Sequence, residues 1–272
     1  MYKNEGLDAK ADRPLSAALR GQNTRLRFDR FYHIWNQVHA MVIVFAVVMV
    51  ELAPLRHAGF VILAGWTPIA MLVVYRSAKH LHPDGAGSLF PNLLTTTRVA
   101  AGCIILIALA TSEVAAAVLS IAHTNAAYLV VGVLLLVEVT DLFDGYVARR
   151  RPHGAFGGIW DMESDSVFAI ALALGLRHVY GVGFHVVLIG LMKYGYVLLS
   201  RFDGDPPVFP KTYKVFAKTV AAVVVTSLVL GYAPLWSTTA AVGVRDVAYA
   251  VVLFLQVASF VWDLVLQVRP AR

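Results

Sequence analysis

The chain has 272 residues, of which 58% are hydrophobic and 15% charged, and its mean hydropathy is +0.68. A water-soluble domain carries about 25% charged residues, so this composition excludes an ordinary soluble globule and points to a membrane protein. The single cysteine, Cys103, excludes a disulfide framework and any Cys-based zinc site; despite the net charge of +6 a nucleic-acid partner is not expected, because the basic residues are spaced between apolar runs instead of covering a polar face.

Taken in chain order, the first 34 residues are polar and hold Lys3, Lys10, Arg13, Arg20, Arg25, Arg27 and Arg30. A signal peptide would place its apolar stretch nearer Met1, so none is read. The segment Leu15 to Arg30 is either a basic helix lying on anionic lipid or a partly disordered tail that only sets topology. Crossing the hydrocarbon layer takes roughly 20 mostly apolar residues. Eight such runs follow, near 36–53, 58–75, 93–112, 124–141, 162–178, 182–200, 213–232 and 247–266. The fourth and fifth are weaker because acids sit at their ends. With the N-terminus inside, the inner segments hold most of the Lys and Arg, while the outer loops hold only Arg56, Arg177 and Arg245. Cytoplasmic loops are enriched in these residues, so both termini are expected in the cytoplasm. Trp35, Tyr75 and Trp236 read as interfacial anchors, and His80 and His82 lack the carboxylates that a zinc site would need.

Acids are scarce, yet Glu138, Asp141, Asp144, Asp161, Glu163 and Asp165 fall within one short stretch. Asp141 and Asp144 are three apart and Asp161 and Asp165 four apart, so each pair shares a helix face. The Arg-, Gly- and Pro-rich Arg149 to Gly158 turns the chain back between them. Four carboxylates brought to one point would repel, and a divalent cation resolves the conflict. Hard oxygen ligands suit Mg²⁺, Mn²⁺ or Ca²⁺, and four Asp can hold two ions, as paired-metal phosphoryl-transfer sites do. The plainer alternative is a set of interfacial acids balanced by Arg149 to Arg151, although acids at membrane depth are usually functional. Gly145, Ala148 and Gly157 leave room for a bulky group, and Arg149 offers a planar fork for phosphate oxygens. Together these features suggest a nucleotide diphosphate substrate.

Asp141-Leu-Phe-Asp144-Gly145-Tyr-Val-Ala148-Arg149, followed by Gly157, Asp161 and Asp165, resembles the signature of the CDP-alcohol phosphatidyltransferases, D-x2-D-G-x2-A-R-x8-G-x3-D-x3-D. Seven residues instead of eight separate Arg149 from Gly157, a loop one residue shorter than the pattern. Pro91 to Arg98 is similar to the segment that opens the family's first core helix. The resemblance implies an all-α polytopic bundle: a basic N-terminal segment over 1–34, two added transmembrane helices within 35–90 and a six-helix core over 91–272. It implies two divalent cations, Mg²⁺ or Mn²⁺, on Asp141, Asp144, Asp161 and Asp165. Asn92, Thr95, Gly145, Ala148, Arg149 and Gly157 would line the CDP part of the site. Asp165 would take the proton from an acceptor alcohol, which attacks a CDP-linked donor, most often CDP-diacylglycerol, and releases CMP in phospholipid biosynthesis. A homodimer in the bacterial inner membrane, with a cytoplasmic active site, is implied by the same likeness.

The acceptor is less legible. Arg98, Lys193, Arg201 and Lys218 are basic groups on core helices that could bind an acceptor phosphate, although Lys193 could instead snorkel or pair with Glu138. Asp165 is followed by Ser166, not by the Arg or Lys usual in members acting on inositol phosphate or glycerophosphate. Glu163 could meet a cationic acceptor, but its place two residues off the acidic face assigns it to solvent by default. Outside this reading stand a divalent-cation transporter using the Asp cluster, an aminoalcohol phosphotransferase with a CDP-aminoalcohol donor and a non-catalytic relative.

Overall fold

The computed structural model describes residues 8–81, 89–111, 126–148, 155–199, 209–236 and 238–268, with side chains over 27–80, 95–111, 127–139, 157–199, 209–236 and 238–267. Among these residues the chain is all-helical. It comprises α1 (Asp8–Glu51), a 3₁₀ turn (Ala53–Leu55), α2 (Arg56–Leu81), α3 (Leu89–Ala110), α4 (Ala126–Ala148), α5 (Ala155–Val179), α6 (His185–Leu199), α7 (Lys211–Leu230) and α8 (Thr239–Val268). Each of the eight expected spans falls on one of these helices. Arg27–Glu51, Ala53–His80, Lys211–Leu230 and Thr239–Gln267 are long and apolar enough to cross a membrane by length and composition, and Thr95–Ala110, Ala127–Val139 and His185–Leu199 are shorter apolar helices. Many large apolar side chains face outward, such as Leu129 at 73% and Phe254 at 71% exposure. In a polytopic bundle such a surface meets lipid, where the backbone must be satisfied within each helix.

One departure concerns the N-terminus. The helix begins at Asp8 and runs unbroken through residue 34 to Glu51. At 1.5 Å per residue its 44 residues span about 66 Å, well beyond the ~30 Å hydrocarbon layer. Its inward face carries Asn36 and His39, both buried.

Helix α5 forms the centre. Val167 to Leu174 are all buried, as is Leu176, on every side of the helix, because α2, α3, α6 and α7 pack around it. This stretch of the helix is apolar all round and has no solvated face to offer. Small residues let its neighbours approach: a Cβ on Gly190 of α6 would meet Ile170 Cα at 3.0 Å. The helix ends through Gly181, at φ +65°, with Val182 N–H donating to Leu176 O across the end, which closes the orphan carbonyls.

The lone cysteine has a local explanation. Pro68, inside α2, has no N–H to give to the carbonyl of Ala64. Cys103 Sγ of α3 lies 3.6 Å from that oxygen and donates to it, satisfying a polar group that lipid could not. The two N-terminal helices are thus joined to the rest, with α2 packing on α3 and α5, and α1 on α6.

Candidate active site

Helix α3 brings Arg98 to the acid-bearing end of α5. Its guanidinium is 1% exposed and divides its fork between two carboxylates. Nη2 donates to Asp161 Oδ1 at 2.7 Å, and Nη1 donates to Asp165 Oδ1. The two acids are one turn apart, so a single planar cation reaches both and aims them at one place. Their side chains remain 48% and 45% exposed, while the arginine beneath is covered. The carboxylates therefore face outward over a buried positive charge. Expected among the acceptor-binding cations, Arg98 is engaged with motif acids instead. Thr95, one turn before it, is buried.

Glu163 lies between these acids in sequence but about 200° round the helix from each. The expectation that it meets solvent is overturned: it is 1% exposed. The opposite side of α5 is occupied by α1 and α6, not by water. Lys193 Nζ of α6 sits 2.6 Å from Glu163 Oε1 and also reaches the Met162 carbonyl at 3.4 Å. Tyr194 OH donates to Oε2 at 3.4 Å. From α1, His39 Nε2 lies 3.3 Å from the same oxygen, in close contact but not aligned as a hydrogen bond. Trp66 Nε1 of α2 donates to His39 Nδ1 at 2.9 Å, which makes Nδ1 the acceptor and directs a neutral ring's Nε2–H to the glutamate. Lys193, expected to bind an acceptor phosphate, to snorkel or to pair with Glu138, is paired with Glu163.

A buried charge without a partner is very costly, so the Lys193–Glu163 pair is a condition of burying either group. A further apolar cluster lies beside it. Phe28 of α1 and Val74 and Ala78 of α2 are buried, with Trp35, Tyr75, Ile159 and Trp160 packed against them. Trp35 and Tyr75, expected as interfacial anchors, thus pack where α1 and α2 meet the start of α5.

Of the other expected site residues, Asp141, Asp144, Gly145 and Ala148 lie on the last turns of α4, and their side chains fall outside the described residues. Asn92 is on the first turn of α3, also without a described side chain, and Arg149 and Arg201 lie outside the described residues. Gly157 is on the first turn of α5 and Lys218 is exposed on α7. Helices α4 and α5 share α3 and α7 as packing neighbours. Among the described residues no three His, Cys, Asp or Glu side chains gather as a metal site. Asp161 and Asp165 nonetheless suit a hard divalent cation: two half-exposed oxygen donors converge, each engaging Arg98 through Oδ1.

Sequence reasoning missed His39, Trp66 and the burial of Glu163. A signal was present, since Tyr32, Asn36 and His39 recur at helical spacing along α1 and so share one polar stripe. Nothing local indicated which helix would receive it.

Exposed paired carboxylates over a buried arginine, at one end of an apolar helical bundle, define an integral-membrane protein with an anionic, cation-ready site. A family model, CDP-alcohol phosphatidyltransferase, matches residues 88–262. The chain belongs to that family, whose members are transferases moving a phospho-alcohol from a CDP-alcohol. Comparison with curated proteins gave no match, and comparison with solved structures gave none either. The matched segment begins at α3 and takes in Arg98, Asp161 and Asp165, while α1 and α2 precede it.

Proposed function

We propose that this protein transfers a phosphatidyl group from a CDP-linked lipid, CDP-diacylglycerol, to an acceptor alcohol and releases CMP, as a step of phospholipid biosynthesis. The observation that carries the proposal is the convergence of Asp161 and Asp165, half-exposed and fixed by one buried arginine, inside the family-matched segment. In this reading Asp141, Asp144, Asp161 and Asp165 hold two divalent cations, Mg²⁺ or Mn²⁺. When bound, such ions screen the charge of a pyrophosphate and of the transition state. The rest falls to the chain itself. Asn92, Thr95, Gly145, Ala148, Arg149 and Gly157 receive the cytidine and phosphates, the small residues leaving room and Arg149 supplying a fork. Asp165 accepts the proton of the acceptor hydroxyl, whose oxygen then attacks the lipid-side phosphorus; the bond to CMP breaks and CMP departs. Proton removal by a placed carboxylate suits a hydroxyl nucleophile. Arg98 keeps Asp161 and Asp165 one turn apart in their working rotamers. The site faces the cytoplasm of a bacterial inner membrane, and the protein works as a homodimer. Arg201 and Lys218 are the cations left to meet an acceptor phosphate, since Arg98 and Lys193 are engaged with carboxylates.

Purified protein with CDP-diacylglycerol, Mn²⁺ and a panel of alcohols tests the proposal through CMP release, expected with one acceptor class and abolished by EDTA. CMP release only with a CDP-aminoalcohol and diacylglycerol would make it an aminoalcohol phosphotransferase. Metal uptake into proteoliposomes without CMP release would make it a transporter.

A further inference from the structure

We propose that the two helices preceding the family-matched segment are part of the catalytic scaffold: His39 of α1, with Lys193 of α6, is a positioning residue that grips Glu163 and thereby sets how α5 presents Asp161 and Asp165. This rests on the proposed phosphotransfer. Glu163 is two residues from each acid on a rigid helix, so turning or sliding it displaces both by the same amount. It is 1% exposed and is reached from α6 by Lys193 at 2.6 Å and from α1 by His39 at 3.3 Å. His39 does not swing freely. Trp66 of α2 donates to its Nδ1 at 2.9 Å, and the ring of Tyr194 meets it edge-on with centroids 5.6 Å apart. Helix α1 is joined to α5 a second time at the other end, where Glu51 lies 3.5 Å from Arg177 and 3.2 Å from His178. The two junctions lie 12 residues apart on α1 and 14 on α5, so they keep register along parallel helices, about 20 Å apart by helical rise. From the other side Arg98 of α3 holds the carboxylates themselves. The working turn of α5 is thus held on one side through Glu163 and on the other through its acids, and the Glu163 side draws one of its contacts, His39, from a helix outside the family match.

The test uses the full chain in detergent micelles, measuring backbone hydrogen exchange over 157–167 and steady-state CMP release. In His39→Ala, exchange over 157–167 rises about fivefold while that over 211–230 is unchanged, as expected when a local holding contact is lost. The kcat falls about tenfold with KM for donor and acceptor within about twofold, the size of effect typical for groups that orient ligands from behind. His39→Gln, whose amide keeps an N–H group beside Glu163, restores most of both. Lys193→Met produces the larger changes; should it not fold, His39→Ala, which keeps the Lys193–Glu163 pair, carries the test alone. Unchanged exchange in His39→Ala, or raised exchange with wild-type kcat, overturns the proposal. A wild-type protein that releases no CMP overturns the phosphotransfer reading instead, and exchange alone then decides whether α1 holds this turn of α5.

Discussion

Asp161 and Asp165 leave nearly half of their side chains exposed, whereas Glu163, between them, is 1% exposed. All three are carboxylates on one turn and a half of α5, and each has a cationic partner. The difference lies in which side of the pair is covered. For the two aspartates the arginine is buried and the acids are open; for the glutamate the acid is sealed and Lys193 is 13% exposed. Open carboxylates over a covered cation can take up a second cation or a proton. A sealed carboxylate paired with lysine and flanked by tyrosine and histidine has no such freedom and can only hold position. Chemistry and anchoring are therefore separated by rotation about one helix.

That contrast can be broken at either side. On the open side, Asp165→Asn keeps the shape but removes the base, and CMP release is expected to fall by about 10²–10⁴ with CDP-donor binding largely retained. Steady-state rates alongside nucleotide binding by calorimetry check it, and wild-type turnover would remove Asp165 from the role of base. On the sealed side, Lys193→Met strands a buried carboxylate and is expected to destabilise the protein by about 3–5 kcal/mol. Thermal unfolding in detergent measures this, and adding Glu163→Gln should recover most of the loss, because no uncompensated charge then remains. The smallest effect sharpens the comparison: Tyr194→Phe removes one long hydrogen bond to Glu163, 3.4 Å, and should cost at most about 1 kcal/mol. A larger loss would mean that the tyrosine, and not the lysine, carries the anchoring.

Much of this was legible beforehand. The apolar runs announced the eight helices because hydropathy is a local property, read within each span. The acidic spacing announced that Asp161 and Asp165 share a face for the same reason. The length of α1 was not legible, since its basic first half offers no apolar run to count, yet the helix continues through it. The pairing of Arg98 is not legible, because its partners lie 63 and 67 residues further along. Helical geometry places Glu163 opposite the acids, but that side of α5 meets other helices and not solvent. In a bundle whose central helix is packed against several others, the side away from the site meets another helix.

By itself the amino-acid sequence determined an apolar helical bundle, the positions of its helices and the shared face of Asp161 and Asp165, all of which follow from periodicity and composition over at most a few turns. Only the tertiary structure decided which charges meet: Arg98 with Asp161 and Asp165, Lys193 and His39 with Glu163. The physical reason is that a charge inside an apolar bundle must find a partner, but helix packing across long sequence separations chooses which one.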